Sequence, residues 1–154
     1  MKQLYFAVAL SVLAGVAAAQ LAPNAPTDQP QPISDTQVTA FQKAIQPFVT
    51  QARATYPDAK KRFLAGLPQG QVFFVTTNLR DAEGRFEQVF IRVTSIKNGT
   101  LEGVISSQIQ LLKSYSPGQH YSFAESEILD WLISKPDGSE EGNVVGKFLD
   151  TYRP

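Results

Sequence analysis

Apolar and polar positions divide the chain into three kinds of stretch. From Val38 onward, Val38, Phe41, Ile45, Phe48, Val49 and Ala52 recur at helical spacing. Ser34 or Asp35 can cap that helix. Pro47 removes one backbone donor inside the pattern, so a kink or two shorter helices is expected there. Tyr56-Pro57-Asp58 predicts a second break, with Pro57 in the first turn of a further helix. This helix presents Phe63 and Leu64 and ends at Gly66, before Pro68.

The period then shortens. Gln71 to Arg80 is rich in Val, Phe and Thr and predicts a strand. Asp81 to Arg85 is a turn in which Gly84 can take a positive φ. Phe86 to Ile96 predicts a second strand, with Val89, Ile91 and Val93 on one face and Gln88, Phe90, Arg92 and Thr94 on the other. Asn98-Gly99 is the strongest hairpin signal in the chain. It leads into a strand over Thr100 to Gln110, with Gly103 as the expected bulge. Asn98-Gly99-Thr100 also matches a glycosylation sequon, but the turn explains the same residues. Beyond the Ser116-Pro117-Gly118-Gln119 turn, His120 to Ala124 predicts a short strand. Glu127 to Ser134 fits a strand better than a helix, placing Leu129, Trp131 and Ile133 inward. Asn143 then caps a short helix bearing Val144, Val145, Phe148, Leu149 and Tyr152. Segregated helices and strands predict an α+β domain: N-terminal helices packed on a curled antiparallel sheet of four to five strands, with a short C-terminal helix.

The first residues follow another logic. Lys2, the apolar run from Leu4 to Ala14 and Ala17-Ala18-Ala19 form the three regions of a signal peptide. Cleavage after Ala19 and export, to periplasm or medium, are expected, with no stable membrane span afterwards. Residues 20–33 carry Pro23, Pro26, Pro30 and Pro32 and read as a disordered or polyproline-like spacer. Residues 34–154 form one domain.

Composition narrows the chemistry. The 154 residues include 14 basic and 14 acidic side chains, and apolar residues make up 43%. A core of ordinary size is possible, and no basic patch points to nucleic acid. There is no cysteine, which excludes disulfides, thiolate metal sites, a lipoprotein acylation site and a cysteine nucleophile. The single histidine, His120, sits in no known catalytic motif and reads as a surface or turn residue. No phosphate-cradling glycine loop occurs, and no cofactor or metal is expected.

The remaining candidates lie near the C-terminus. Glu140 and Glu141 could act as paired carboxylates in a cell-wall or glycan hydrolase, or hold a hard cation with Asn143; as a solvated acidic turn they would favour the following helix. Asp130, next to the only tryptophan, falls on the opposite strand face from Trp131 and can pair there with Lys135, Lys147 or Arg92. Asp130, Glu140, Glu141, Asn143 and Lys147 therefore form the candidate contact surface for an unknown partner protein or envelope component.

Glu87-Gln-Val-Phe-Ile-Arg-Val93, Leu101-Glu-Gly103, Tyr115-Ser-Pro-Gly-Gln119 and Ile128-Leu-Asp-Trp131 occur in an order that resembles the YegJ-like family of uncharacterised bacterial proteins, over about residues 40 to 152. The chain departs from that pattern at Phe90 and in the long Asp137–Asn143 turn. The resemblance implies an α+β domain with a curled antiparallel sheet and carries no catalytic residues. Similarity to other small bacterial domains adds a toxin-neutralising, immunity-type module as a further alternative. The leading expectation is an exported, non-enzymatic binding domain.

Overall fold

The structure, a computed structural model, describes residues 24–26 and 37–153. The expected signal peptide, the Ser34 or Asp35 cap and most of the spacer lie outside the described residues. Within that spacer, Asn24 to Pro26 rest on the domain: Asn24 Nδ2 donates to the Gly70 carbonyl at 3.2 Å, and Pro26 is buried. No helix among the described residues is long and apolar enough to cross a membrane.

Helix α1 spans Val38–Ala65 without interruption, although Pro47 and Pro57 both lie inside it. The expected breaks are absent for a reason of geometry. Phe41, Ile45, Val49, Ala52, Tyr56 and Ala59 form one buried stripe that continues past both prolines. Pro47 and Pro57 sit on the exposed side. The carbonyls each proline leaves without an N–H, on Lys43 and Arg53, belong to exposed residues and can be hydrated. Gly66, at φ 92°, ends the helix as expected, its N–H bonded to the Phe63 carbonyl.

The sheet has six antiparallel strands: β1 Val72–Arg80, β2 Phe86–Lys97, β3 Thr100–Ile105, β4 His120–Ala124, β5 Asp130–Ser134 and β6 Glu140–Gly142. Their spatial order is β4-β3-β2-β1-β5-β6. The class is α+β, as expected, but the acidic stretch read as a turn supplies a sixth strand. Glu140 pairs with Ser134, Glu141 with Ile133 and Gly142 with Leu132. Helix α2, Val144–Leu149, follows directly.

Asn98 and Gly99, at φ 51° and 76°, make the two-residue β2–β3 turn with both central residues left-handed. The bulge lies opposite its expected position. Thr94 of β2 is the extra residue, between the Val93↔Gly103 and Ser95↔Glu102 pairs. Gly103 serves close approach instead: a Cβ there would lie 2.4 Å from the Arg92 carbonyl oxygen. Strand β3 stops at Ile105, short of Gln110, because the chain turns across Phe90. Ser106 N–H donates to the Phe90 carbonyl, and Phe90 N–H donates to Ser107 Oγ.

Helix α1 covers one sheet face. Phe73, Val75, Val89, Ile91, Leu101, Ile105, Phe123, Trp131 and Ile133 join Ala52, Tyr56 and Ala59 in the main core. Fully buried Ala52 and Ala59 let the helix approach closely. A second cluster joins Phe41, Ile45 and Val49 to Val145 of α2, with Phe48 stacked on Phe148 at 4.3 Å between ring centroids. Every residue of β5 is buried, so it is covered on both faces.

Candidate functional site

Asp130 opens β5 opposite Thr76 of β1. It is 1% exposed, not a surface residue, and among the described residues it has no cation within ion-pairing distance. The expected pairing with Lys135, Lys147 or Arg92 is thus replaced. One carboxylate oxygen accepts the Trp131 N–H at 2.8 Å, and the other accepts the Val145 N–H at 2.6 Å. Asn143 occupies the N-cap position of α2, as expected, but is left-handed at φ 57° and makes no side-chain cap bond. Asp130 performs the capping from a neighbouring strand. Burial pushes its carboxyl up to about 6, while the N–H groups of Trp131, Val145, Gly146 and Val144 pull the other way. Desolvation is therefore the larger effect.

Trp131 faces α1 and is 6% exposed, the core anchor its sequence position predicts. Its Nε1–H donates to the Ala52 carbonyl at 3.1 Å and to Thr55 Oγ1 at 3.0 Å.

The other candidates divide between two faces. Adjacent strand residues point opposite ways, so Glu140 and Glu141 do not form a facing pair. Glu140 accepts from Asn143 Nδ2 at 2.8 Å. Lys147 Nζ reaches the Gly142 carbonyl at 2.8 Å. Asp130, Glu140, Asn143 and Lys147 are thereby gathered where β5, β6 and α2 meet. Glu141 turns toward α1 and pairs with Arg62 at 2.9 Å, with Lys135 at 3.9 Å. The Arg62 hydrogen bond holds the Glu141 carboxyl below its usual range, with burial opposing. A general acid needs the reverse shift. His120 stands exposed at the start of β4. Among the described residues, no three His, Asp or Glu side chains are grouped as metal ligands would be.

Gly142 fixes the corner. It has φ 82°, and an added Cβ would lie 2.3 Å from the Trp131 carbonyl oxygen. Gly146 is equally constrained, since a Cβ there would overlap Asn143 Oδ1.

Two carboxylates with clear roles escape the sequence pattern. Glu87 gathers the backbone N–H groups of Gln110, Leu111 and Leu112 at 2.6, 2.9 and 3.0 Å, which seats Leu112 in the core. Glu125 receives Lys60 Nζ at 2.6 Å and the Tyr56 hydroxyl at 2.9 Å, tying α1 to the turn before β5. Burial would raise the Glu125 carboxyl, but these two donors outweigh it and hold it low. Neither partnership has a local sequence signal, because the partners lie 23 to 25 and 65 to 69 residues away.

Residues 35–150 match the family described as "Uncharacterized protein conserved in bacteria (DUF2314)". The chain belongs to this family. An uncharacterised bacterial α+β domain is what the sequence resemblance implied, and DUF2314 spans nearly all of the described domain. No curated protein and no solved structure matches the chain.

Proposed function

We propose that this DUF2314 domain is an exported, non-enzymatic binding module for a partner protein or a cell-envelope component. Its contact surface is the corner formed by β6 and α2. The observation that supports this reading is the set of hydrogen bonds that holds that corner. Glu140 and Asn143 are half-buried and bonded to each other, and Lys147 is exposed and bonded to the Gly142 carbonyl. Buried Asp130 holds α2 beneath them. An acidic and a basic group are thus presented in fixed positions beside the edge strand β6, which lowers the ordering cost of binding. Asp130 contributes by support, and Glu141 is turned toward Arg62 on the other side of β6, away from the Glu140–Lys147 face.

A pull-down from envelope fractions with the tagged full chain tests the surface. Glu140→Ala and Lys147→Ala should each weaken capture of the same partner while thermal unfolding stays within a few degrees of the parent. Equal yields from both variants and the parent would reject this corner. Export is tested by fractionation. The N-terminus of the exported chain should be Gln20, and retention of the uncleaved chain in the cytoplasm would reject that part of the reading.

A further inference from the structure

The two edges of the sheet are finished differently. Strand β6, at one edge, has three residues, Glu140, Glu141 and Gly142, and the φ of 82° at Gly142 turns the chain toward α2. Short length, charge and a sharp turn protect a sheet edge from pairing with another strand. Strand β4, at the other edge, has five residues, His120-Tyr-Ser-Phe-Ala124, with no lysine, acid or proline. Its register with β3 is unbroken from Thr100↔Ala124 to Val104↔His120. Among the described residues, no strand lies on its outer side.

The ladder shows which backbone groups of β4 face outward. Ile105 N–H donates to the Gln119 carbonyl and Glu125 N–H donates to the Gly99 carbonyl, one bond at each end of the β3–β4 pairing. Alternation between these ends commits Tyr121 and Phe123 to β3 and turns the N–H and C=O groups of His120, Ser122 and Ala124 away from it. All three of these residues are exposed. Glu127 Oε2 accepts the Ala124 N–H at 3.1 Å and so closes the edge at that end. Among the described residues, the His120 and Ser122 groups have no such cap.

A second copy of the strand fits this pattern. An antiparallel two-fold at Ser122 is the register that overlaps all five residues. Each Ser122 N–H then meets the carbonyl of Ser122 in the copy. His120 faces the copy's Ala124, and its N–H meets the carbonyl there, while Glu127 keeps the Ala124 N–H. The ladder is thus bounded by Glu127 at both ends, and each Glu127 carboxylate comes beside the imidazole of the copy's His120. No like charges meet, because the strand itself carries none of the acids or lysines that would repel its copy. Tyr121, half-buried with its ring 5.6 Å from that of Phe123, comes opposite Phe123 of the copy as a cross-strand aromatic pair.

We propose that β4 is a homodimerisation edge: two copies of this chain pair antiparallel through His120–Ala124 and join their sheets into one. The contact is small, which sets a dissociation constant of roughly 100 μM. It shares no residue with the β6–α2 corner and does not rest on that corner binding a partner.

The chain has no cysteine, so a single introduced one reports its own neighbour. With oxidised glutathione, Ser122→Cys in the full chain should form a disulfide-linked dimer about tenfold faster than His120→Cys, because the register sets position 122 against itself and holds the two 120 positions about 14 Å apart. A mixture of His120→Cys and Ala124→Cys should give the mixed dimer. In sedimentation equilibrium the parent should dimerise as its concentration rises to about 1 mM, and Ser122→Lys should weaken this about tenfold by placing two ammonium groups face to face. Mixing Ser122→Lys with Ser122→Glu should restore association, and thermal unfolding of each variant should match the parent, since the Ser122 side chain is exposed. A parent that stays monomeric, or cross-linking of Ser122→Cys no faster than of His120→Cys, would overturn the proposal. So would a dimer indifferent to Ser122→Lys, which would put the contact on another surface.

Discussion

Asp130 and Arg92 lie on the same face of the same sheet, two strands apart, and are treated in opposite ways. Strand β1 separates them, with Thr76 opposite Asp130 and Phe74 opposite Arg92. Around Asp130 the fold has closed: α2 supplies backbone N–H groups, and β6 and Gly142 seal the edge. Around Arg92 the strands part, and a buried nitrogen stays unpaired. A buried charge needs donors or acceptors aimed at it, or it subtracts from stability. The first site is thus built for the fold, whereas the second is a cost that the fold carries.

Variants at these positions sharpen the contrast. The largest effect is expected from Asp130→Ala, which orphans the N–H groups of Trp131 and Val145. A loss of about 3 kcal/mol should appear in denaturant unfolding at neutral pH. Hydrogen exchange should show the α2 amides losing protection before those of β2. Gly142→Ala should follow at about 2 kcal/mol, because it combines a positive φ with a clash against the Trp131 carbonyl.

Acidity supplies a milder probe. The Asp130 carboxyl titrates near 6 in the fold, above its value of 3.8 in an unfolded chain. The folded state therefore holds the proton more tightly. Its contribution is fully present below 3.8 and is lost as pH rises through about 6. Stability should rise by roughly 1 kcal/mol between pH 7 and pH 5, and Asp130→Asn should abolish that rise. Glu125 and Glu141, held low by their cations, lose their contribution only as pH falls through their folded values, so the window above pH 5 isolates Asp130. The smallest effect should come from Arg92→Leu. It removes the unpaired donor and should leave stability within about 0.5 kcal/mol of the parent or slightly above it. A loss as large as that of Asp130→Ala would show that Arg92 is as well satisfied as Asp130, and would erase the contrast.

Local chemistry made some of this legible from sequence. Asn98-Gly99 fixed a hairpin, Gly66 a helix end and Trp131 a core position, because each depends on its own backbone or on alternation along one strand. Other features depended on distant neighbours. Alternation placed Asp130 on a surface, but β5 is covered on both faces and its partner N–H on Val145 lies 15 residues on. Three residues, Glu140 to Gly142, are too few and too polar to announce a strand; pairing with β5 makes them one. Pro47 and Pro57 signalled breaks correctly as local preferences, yet the continuous buried stripe of α1 overrode them. Of the candidate contact residues, the structure brings Asp130, Glu140, Asn143 and Lys147 together and turns Glu141 toward Arg62. Arg92 was legible as a polar-face residue, but the Thr94 bulge two residues beyond it was not.

Those two prolines also set an order of events. Each costs an isolated helix about 3 kcal/mol, so residues 38–65 should remain coil until a template exists. The Asn98–Gly99 hairpin needs no such template and can form within microseconds. Trp131, which hydrogen-bonds to α1 across 79 residues of sequence, arrives late in any chain delivered N-terminus first. The first described element of the domain is therefore among the last to acquire its shape, and its helix records the completion of the sheet.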